Sequence, residues 1–256
     1  MSQDYLAETH ILNYRAAPIQ RLIKDRGWER LQPTARIGAA YDFVRNDILF
    51  GYNAQDDLPA SHVLADGFGQ CNTKTTLLMA LLRALDVPCR FHGFTIDKGL
   101  QRGVVPELIY PLAPQNIIHS WVEVEHAGEW LNLEGFILDQ AMLTALQDRF
   151  PERNVLCAYG AGTDKLQVPE VAWRCESTYI QRTGITQDFG VFAAPDVFYA
   201  RHRQLSGLRG FLFRQVFRHW MNRRVARIRK GDVPVIPGGE AALVPKAANA
   251  TPRVVM

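Results

Sequence analysis

The feature of the sequence that most restricts the fold is an apolar run that follows two glycines, in GFGQCNTKTTLLMALLRALDVP at residues 67–88. Helical spacing places one stripe of side chains below Cys71, which consists of Thr75, Leu78, Leu82 and Leu85. The run contains Arg83, is too short to cross a membrane, and meets Pro88, which cannot continue a helix. It therefore predicts a core helix with Cys71 in its first turn.

Three segments after this helix have the alternation and the β-branched and aromatic side chains that are typical of strands. They are CRFHGFTI at 89–96, HSWVEVE at 119–125 and EWLNLEG at 129–135. Two more helices are expected within residues 15–50, whereas residues 136–200 give a mixed pattern. The predicted fold class is α+β, with a helix packed on an antiparallel sheet.

The chain has 256 residues, which is enough for one large domain with appendages. We predict a domain over residues 1–200, in which the motifs described below occupy about 40–140, followed by a separate helical segment at 201–230. Residues 231–256 are rich in Gly, Pro and Ala and lack periodicity, so we predict a disordered tail there.

Residues 201–230 carry the strongest charge feature of the chain. They contain ten Lys and Arg residues and no Asp or Glu, whereas the rest of the chain has 19 basic and 26 acidic residues. Apolar side chains are interleaved with the arginines, which predicts a basic amphipathic helix. We favour packing of this helix on its own domain, then binding to an anionic membrane surface or an acidic partner. Nucleic acid is the least favoured partner because no nucleic-acid motif accompanies the segment.

The N-terminal sequence MSQDYLAETH does not have the basic and apolar regions of an export signal, which predicts a cytoplasmic location, with or without peripheral membrane contact. The cysteines are then expected to be free thiols, and Cys89, Cys157 and Cys175 to be structural. Cys89 and His92 have a metal-ligand spacing but would point to opposite faces of a strand. Neither a metal nor a cofactor is predicted.

Cys71 occupies a position that favours reactivity. A thiol attacks as the thiolate, and the first turn of a helix presents unpaired N–H groups and the positive end of the helix dipole, which lower a cysteine pKa. Gly67 and Gly69 would let the backbone, or a ligand, approach closely. We therefore predict that Cys71 is a nucleophile with a lowered pKa.

The segment HSWVEVEHAGEWLNLEG at 119–135 supplies a base and an acid for such a nucleophile. As a hairpin with a two-residue turn it would pair Glu134 with Trp121, whereas a four-residue turn would pair Glu134 with His119. Both registers put His119 and Glu134 on the same face. A histidine next to a carboxylate, opposite a cysteine, is the arrangement of cysteine-dependent acyl transfer.

Together these pieces resemble the transglutaminase-like superfamily, whose papain-related fold is found in transglutaminases, peptide N-glycanases and bacterial cysteine peptidases or amidases. The family has G-x-C at the start of a helix, H-x-W-x-E-V on a strand, and an aspartate on the next strand. This sequence has GQCNTKTTLLMALLRALDVPCR, HSWVEVE and EWLNLEG in the same order. The resemblance implies that Cys71 is the nucleophile and His119 the general base.

The third member departs from the family pattern, because Glu134 stands where the family usually has aspartate. Asp139 is the other acid nearby; on a continuous strand it would point to the opposite face, although Gly135 could bend the chain. We favour Glu134. The Cys71 N–H would be one oxyanion donor, and the candidates for a second donor or for substrate contact are Gln70, Tyr52, Trp121 and Asn116.

The resemblance also implies attack of the thiolate on an amide or ester carbonyl, a thioester intermediate, and release to water or to an amine. The expected function is therefore amide or peptide hydrolysis, or acyl transfer, with a peptide, a protein or a small amide as substrate. The alternative is a catalytically inactive module of the same fold that binds a peptide or protein, for which Glu134 would be an early sign of lost activity.

Overall fold

A computed structural model describes residues 4–204, 207–239 and 243–244 of the chain. Its helices are, in chain order, α1 (Ala17–Arg26), α2 (Pro33–Asn46), α3 (Ala60–Asp66), α4 (Cys71–Ala84), α5 (Gln140–Arg149), α6 (Pro195–Tyr199), α7 (Gly207–Leu212) and α8 (Arg218–Ile228). Its strands are β1 (Leu49–Phe50), β2 (Phe68–Gly69), β3 (Cys89–Asp97), β4 (Asn116–His126), β5 (Glu129–Leu133), β6 (Leu156–Ala158), β7 (Ala161–Thr163) and β8 (Ile185–Phe192). The predicted α+β class is confirmed.

The central sheet is antiparallel and has the strand order β5-β4-β3-β8. His126 pairs with Glu129, so the β4–β5 hairpin has a two-residue turn, and Ala127 and Gly128 both have the positive φ that such a turn requires. The register with the two-residue turn is therefore the correct one. The sequence predicted β3, β4 and β5 but missed β8, because β8 is a largely exposed edge strand without a clear apolar alternation.

Helix α4 lies at the centre of the domain, and every residue from Cys71 to Arg83 is buried. The sequence predicted a single buried stripe, but α4 packs on β3 and β4 on one side and contacts α1, α2 and α3 elsewhere. The helix begins after Gln70, whose backbone N–H donates to the Thr73 hydroxyl at 3.1 Å. The burial of all its faces fixes the position of its first turn in the core.

The two helices expected within residues 15–50 are α1 and α2. Each has a proline in its first turn, where the missing N–H would have had no partner within the helix. Helix α1 ends at Gly27, which adopts a left-handed conformation with φ of 67°. Both helices bury their apolar faces in the main core, which includes Ile19, Ile23 and Tyr41.

Within the basic segment, residues 207–228 form one continuous helical run, since α7 passes through a π-helical turn (Phe213–Phe217) into α8. Helix α8 buries Met221, Val225 and Ile228 against the domain. Among the helices that the structure describes, none has the length and apolar character needed to cross a membrane.

Residues 231–239 are the first part of the segment for which a disordered tail is predicted. In the structure Val233 and Ile236 are buried. Residues 240–242 and 245–256 of this segment, like Leu205 and Ser206 in the basic segment, lie outside the described residues. The division of the chain at residues 200 and 230 stays a prediction.

Candidate active site

Cys71 is the first residue of α4, and it lines a cavity. The turn before it is tight, because a Cβ atom at Gly69 would lie 2.6 Å from the Thr73 hydroxyl oxygen. Gly67 ends α3 in a left-handed conformation with φ of 68°. Gly67 therefore allows α3 to end in a left-handed turn, and Gly69 allows the backbone to pack closely against the first turn of α4.

Three hydrogen bonds attach the first turn of α4 to β4 on both sides of His119. The Asn72 side-chain amide donates to the Ile118 carbonyl at 3.1 Å, and the Ser120 hydroxyl donates to Asn72 Oδ1 at 3.0 Å. The Thr75 hydroxyl donates to the Ser120 carbonyl at 3.2 Å. These contacts bring the helix start that carries Cys71 to the stretch of β4 that carries His119.

His119 and Glu134 form a completely buried pair, with 2.8 Å between His119 Nε2 and Glu134 Oε1. The remaining ring nitrogen, His119 Nδ1, is buried and has no hydrogen-bond partner among the described residues. Since an ionised carboxylate can only accept, Nε2 carries a proton, and in a neutral ring Nδ1 is then the basic nitrogen.

The second carboxylate oxygen of Glu134 accepts the backbone N–H groups of Ile180 and Gln181, both at 2.9 Å. These two donors hold the longer glutamate side chain in one position. Sequence analysis did not identify this pair, because backbone donors from a segment of mixed pattern carry no residue-type signal.

Asp139 takes a different structural role. Its carboxylate caps α5 by accepting the Met142 N–H at 3.0 Å, accepts the Phe50 N–H at 2.9 Å, and pairs with Arg229 at 2.8 Å. Burial alone would raise its pKa, but the Arg229 and backbone hydrogen bonds outweigh burial and hold the pKa below its usual value. The carboxylate that contacts His119 is that of Glu134.

The Cys71 thiol has a raised pKa, so the lowered pKa expected from its helix position is wrong for this conformation. Burial is the largest cause, and the Asp56 carboxylate raises the pKa further. The backbone N–H of Asn72 at the helix start and that of Ser120 on β4 lower it, but by less. The resting group is therefore a neutral thiol, and it needs a base to become a nucleophile.

Gln70 and Tyr52, the two candidates for the second oxyanion donor, both line the cavity beside Cys71. The Gln70 side-chain oxygen accepts the Asn53 N–H at 2.8 Å, and its amide group donates to Asp56 at 3.0 Å. The Tyr52 backbone N–H donates to the Asn222 side chain at 2.7 Å, which ties the loop to α8. Both side chains help to shape this wall, and the Gln70 amide already has a partner.

Trp121 and Asn116 are not among the described residues that line the cavity. Trp121 is buried and packs its ring on Phe94, with 4.1 Å between the ring centroids. Asn116 is exposed, and its side chain accepts from the Thr186 hydroxyl at 3.3 Å. The structure therefore places these two candidates outside the cavity wall.

The cavity has a volume of about 370 Å³, within the range of small-molecule sites. Besides the loop before α4, its wall includes Tyr199 of α6 and much of the π-helical turn. Sequence analysis missed Asp56, Tyr199 and the contribution of the basic segment. No motif marks them, because they reach the site only through tertiary packing.

The other cysteines lie elsewhere. All four cysteines are free thiols; Cys89 and Cys157 are buried, whereas Cys175 is exposed. Cys89 has a raised pKa, mainly because it is buried. The burial of Cys89 and Cys157 is compatible with the structural role predicted for them, whereas for the exposed Cys175 that role stays a prediction.

Residues 26–135 match the family model described as the transglutaminase-like superfamily. The resemblance to this superfamily that the sequence predicted is confirmed over this segment, which is less than half of the chain. The segment contains Cys71, His119 and Glu134, but neither Tyr199 nor the basic segment.

One solved structure that is similar to the chain is named "a Putative Cysteine Protease" from Cytophaga hutchinsonii. The identity is 18%, the TM-score is 0.40, and the match covers 53% of this chain and 42% of the other. The chain thus spans less than half the length of that protein. No curated protein matches the chain.

Proposed function

We propose that this protein is a cysteine-dependent amide hydrolase or acyltransferase, in which Cys71 is the nucleophile, His119 the general base and Glu134 the orienting acid. The observation that carries the proposal is the buried His119–Glu134 pair, which leaves Nδ1 of His119 without a hydrogen-bond partner in the described structure. His119 lies on β4, between the two residues of that strand to which Asn72 in the first turn of α4 is hydrogen-bonded.

In the proposed reaction, His119 Nδ1 takes the proton of the Cys71 thiol while the sulfur attacks the substrate carbonyl carbon. The negative charge that develops on the carbonyl oxygen is accepted by the Cys71 N–H at the helix start. His119 then gives its proton to the leaving amine, and a thioester remains on Cys71. Water or a second amine gives a proton to His119 as it attacks the thioester, the acyl product leaves, and the departing sulfur of Cys71 recovers that proton from His119.

The raised pKa of Cys71 agrees with this sequence of steps. A buried thiolate beside Asp56 would be unstable at rest, so proton transfer must coincide with attack. Glu134 stabilises the imidazolium that forms, because its carboxylate already accepts the Nε2 proton. The protein therefore stabilises the charges that develop in the transition state of the attack, which lowers the activation barrier, and does not stabilise a thiolate at rest.

Incubation with 4-nitrophenyl octanoate is expected to add one octanoyl group to Cys71, as a thioester that neutral hydroxylamine removes. Intact-protein mass spectrometry and peptide mapping measure this adduct. Cys71→Ala should not form it, and His119→Ala should form it about 10²- to 10⁴-fold more slowly, since a general base contributes that factor.

The exposed Cys175 provides the matched control for this experiment. Cys175→Ser should acylate at the wild-type rate, because an exposed thiol without a base contributes nothing to the reaction. Octanoyl groups found on Cys175 or on lysines, with Cys71 unmodified, would contradict the proposed enzyme.

The second candidate function is a binding module that has kept the fold without catalysis. The burial that raises the pKa of Cys71 is the observation that favours it. Under this alternative the cavity binds an acyl compound or peptide, but no thioester forms on Cys71. The labelling experiment therefore distinguishes the two functions directly.

A further inference from the structure

The inner wall of the cavity is apolar and is built from two distant parts of the chain. One part precedes and enters β4, and the other is the helical run after residue 207. Side chains that show this composition are Val105, Ile109 and Ile118 from the first part and Phe213, Phe217 and Met221 from the second. Such a wall is suited to an aliphatic chain, because each buried methylene stabilises binding by about 0.8 kcal/mol.

Three arginines also line the cavity, namely Arg203, Arg209 and Arg214. They have no ion pair among the described residues, in contrast to Arg229 on the same helical run, which pairs with Asp139 at 2.8 Å. Three positive charges in the lining of the cavity that form no ion pair among the described residues favour an anionic ligand.

Acidic side chains line the same cavity next to Cys71. Asp56 accepts from the side chains of Gln70 and Asn72 at 3.0 Å each, directly before and after Cys71, and Asp57 also lines the cavity. An anionic group of a ligand would be repelled by these carboxylates if it lay near the Cys71 sulfur. The charges thus orient a ligand with its uncharged carbonyl at Cys71 and its anionic group at the arginines.

We propose that the cavity binds an acyl group with an aliphatic chain and an anionic group at the end remote from the carbonyl. The aliphatic chain of the ligand lies between the part of the wall that precedes and enters β4 and the π-helical turn. The anionic group pairs with Arg203, Arg209 and Arg214. The assignment of this acyl group as substrate rests on the proposed function, whereas its binding does not.

The binding test uses Cys71→Ala, which cannot react, and calorimetry with suberic acid monoamide and octanamide. These ligands have the same number of carbons and differ in the terminal carboxylate. The monoamide is expected to bind about tenfold more tightly or better. Arg209→Glu and Arg214→Glu should each weaken monoamide binding about threefold to tenfold, as lost charge-assisted pairs do, without weakening octanamide binding.

Arg223→Glu is the matched control, because Arg223 is exposed on the same helical run and does not line the cavity. It should leave both affinities unchanged. A second pair of variants tests the binding of the ligand's aliphatic chain. Leu112 is 67% exposed and lines the cavity, whereas Leu108 is 86% exposed and does not. Leu112→Glu should weaken binding of both ligands, and Leu108→Glu should weaken neither.

The kinetic test compares mono-4-nitrophenyl esters of succinic, adipic, suberic and sebacic acid with uncharged esters of equal length. Acylation of Cys71 should increase about fourfold per added methylene until the chain fills the cavity, and the charged esters should be preferred at the best length. Acylation without any chain or charge preference would overturn the cavity assignment and leave the proposed function standing. Binding of the monoamide without acylation of Cys71 would contradict the proposed function and leave the cavity assignment standing.

A second inference concerns Tyr199, at the end of α6. Its side chain is 4% exposed and lines the cavity, and its hydroxyl is buried without a hydrogen-bond partner in the described part of the chain. The ring is fixed between Phe91 and Phe198, with centroid separations of 5.9 Å and 5.3 Å. A buried hydroxyl without a partner is costly, which indicates that a ligand completes this site.

Tyr199 and Cys71 line the same cavity. Burial raises the pKa of Tyr199 well above its ordinary value, the Asp56 carboxylate raises it further, and the nearby Ser120 side chain opposes the shift without outweighing it. The phenol therefore stays protonated and remains a donor. The amide of Gln70, by contrast, already donates to Asp56.

We infer that the Tyr199 hydroxyl is the second oxyanion donor, together with the Cys71 N–H. Tyr199→Phe removes only this donor and should lower the rate constant for acylation by 4-nitrophenyl octanoate about 10²- to 10³-fold, with little change in the apparent KM. Thermal unfolding should be unchanged or slightly improved, since a buried polar group without a partner is lost.

Tyr52→Phe is the matched comparison, because Tyr52 is another tyrosine of the cavity wall. It should change acylation much less than Tyr199→Phe. A large loss in Tyr52→Phe with none in Tyr199→Phe would overturn the inference and assign the donor to Tyr52. Absence of any adduct in the wild-type protein would instead contradict the proposed function.

Discussion

Glu134→Gln is expected to lower the rate of Cys71 acylation about 10³- to 10⁴-fold, although the substitution changes neither size nor burial. The glutamine oxygen would accept the N–H groups of Ile180 and Gln181, which now contact the carboxylate. The amide NH₂ would then meet His119 Nε2 and donate to it. This contact stabilises the tautomer with its proton on Nδ1, which can no longer accept the thiol proton.

Single-turnover measurement of acylation by 4-nitrophenyl octanoate checks this result. Glu134→Asp should lose less activity than Glu134→Gln, because it keeps the negative charge but is one methylene too short to contact both His119 and the backbone donors. Raising the pH should not rescue Glu134→Gln, since the defect lies in the position of a proton on a neutral ring.

Asp139→Asn is the control that separates the two acids. It removes the partner of Arg229 and weakens the cap of α5, so it should lower the free energy of unfolding. Acylation by the folded fraction should remain near the wild-type rate. An equal loss of acylation in Asp139→Asn and Glu134→Gln would contradict the assignment of Glu134 as the orienting acid.

The sequence predicted those parts of the molecule whose signals are local. The alternation of β4 and the glycines before α4 are local features of the sequence, so the strand positions and the shared face of His119 and Glu134 could be derived without a structure. Strand β8 could not, because its pattern comes from being exposed at a sheet edge. The register also required the structure, since two turn lengths suited the same residues.

The pKa of Cys71 shows why sequence analysis predicted the wrong direction of a shift at one position. A helix start contributes about 0.3–2 kcal/mol in favour of the thiolate. Complete burial can shift a pKa by about 3–5 units, or about 4–7 kcal/mol, in the opposite direction. Sequence analysis included the first effect but not the second, because the number of atoms packed around the sulfur depends on segments such as the loop with Asp56.

Tyr199 and the arginines of the basic segment escaped prediction for a related reason. The motifs end near residue 140, yet Tyr199 and the helical run that contains Met221 close the cavity. The residues that gave the segment its amphipathic pattern have two roles in the structure. Met221 contributes to the core and also lines the cavity. Phe213 and Arg214 line the cavity as well. An amphipathic pattern indicates that one face is covered, but not what covers it.

Lys74 is expected to make the free energy of unfolding rise with pH above neutrality. It lies one helical turn below Cys71 and is completely buried, and its ammonium group donates to the carbonyls of Arg45 at 3.2 Å and Ile137 at 3.0 Å. Burial lowers its pKa to about 7; Asp139 opposes this shift, and Arg229 adds to it. In the unfolded chain a lysine has a pKa of about 10.4.

Between these two pKa values the unfolded chain holds a proton that the folded protein has released. The free energy of unfolding should therefore increase by up to about 1.4 kcal/mol per pH unit, or about 5 kcal/mol in all. The contribution is complete above the unfolded value of about 10.4, and it is lost as the pH falls through the folded value of about 7. Below that pH the protein keeps a buried ammonium whose only described hydrogen-bond partners are two carbonyls.

The measurement is denaturant unfolding of the wild type and of Lys74→Met from about pH 6 to about pH 10, with the difference between the two plotted against pH. Other titrating groups are common to both proteins and cancel, so the difference in favour of the wild type should rise with the slope given above. The exposed Lys24 in α1 supplies the control, since the difference for Lys24→Met should not depend on pH over this range. A flat difference for Lys74→Met would mean that the folded protein keeps its ammonium charged throughout, held by the two carbonyls and Asp139 against the cost of burial.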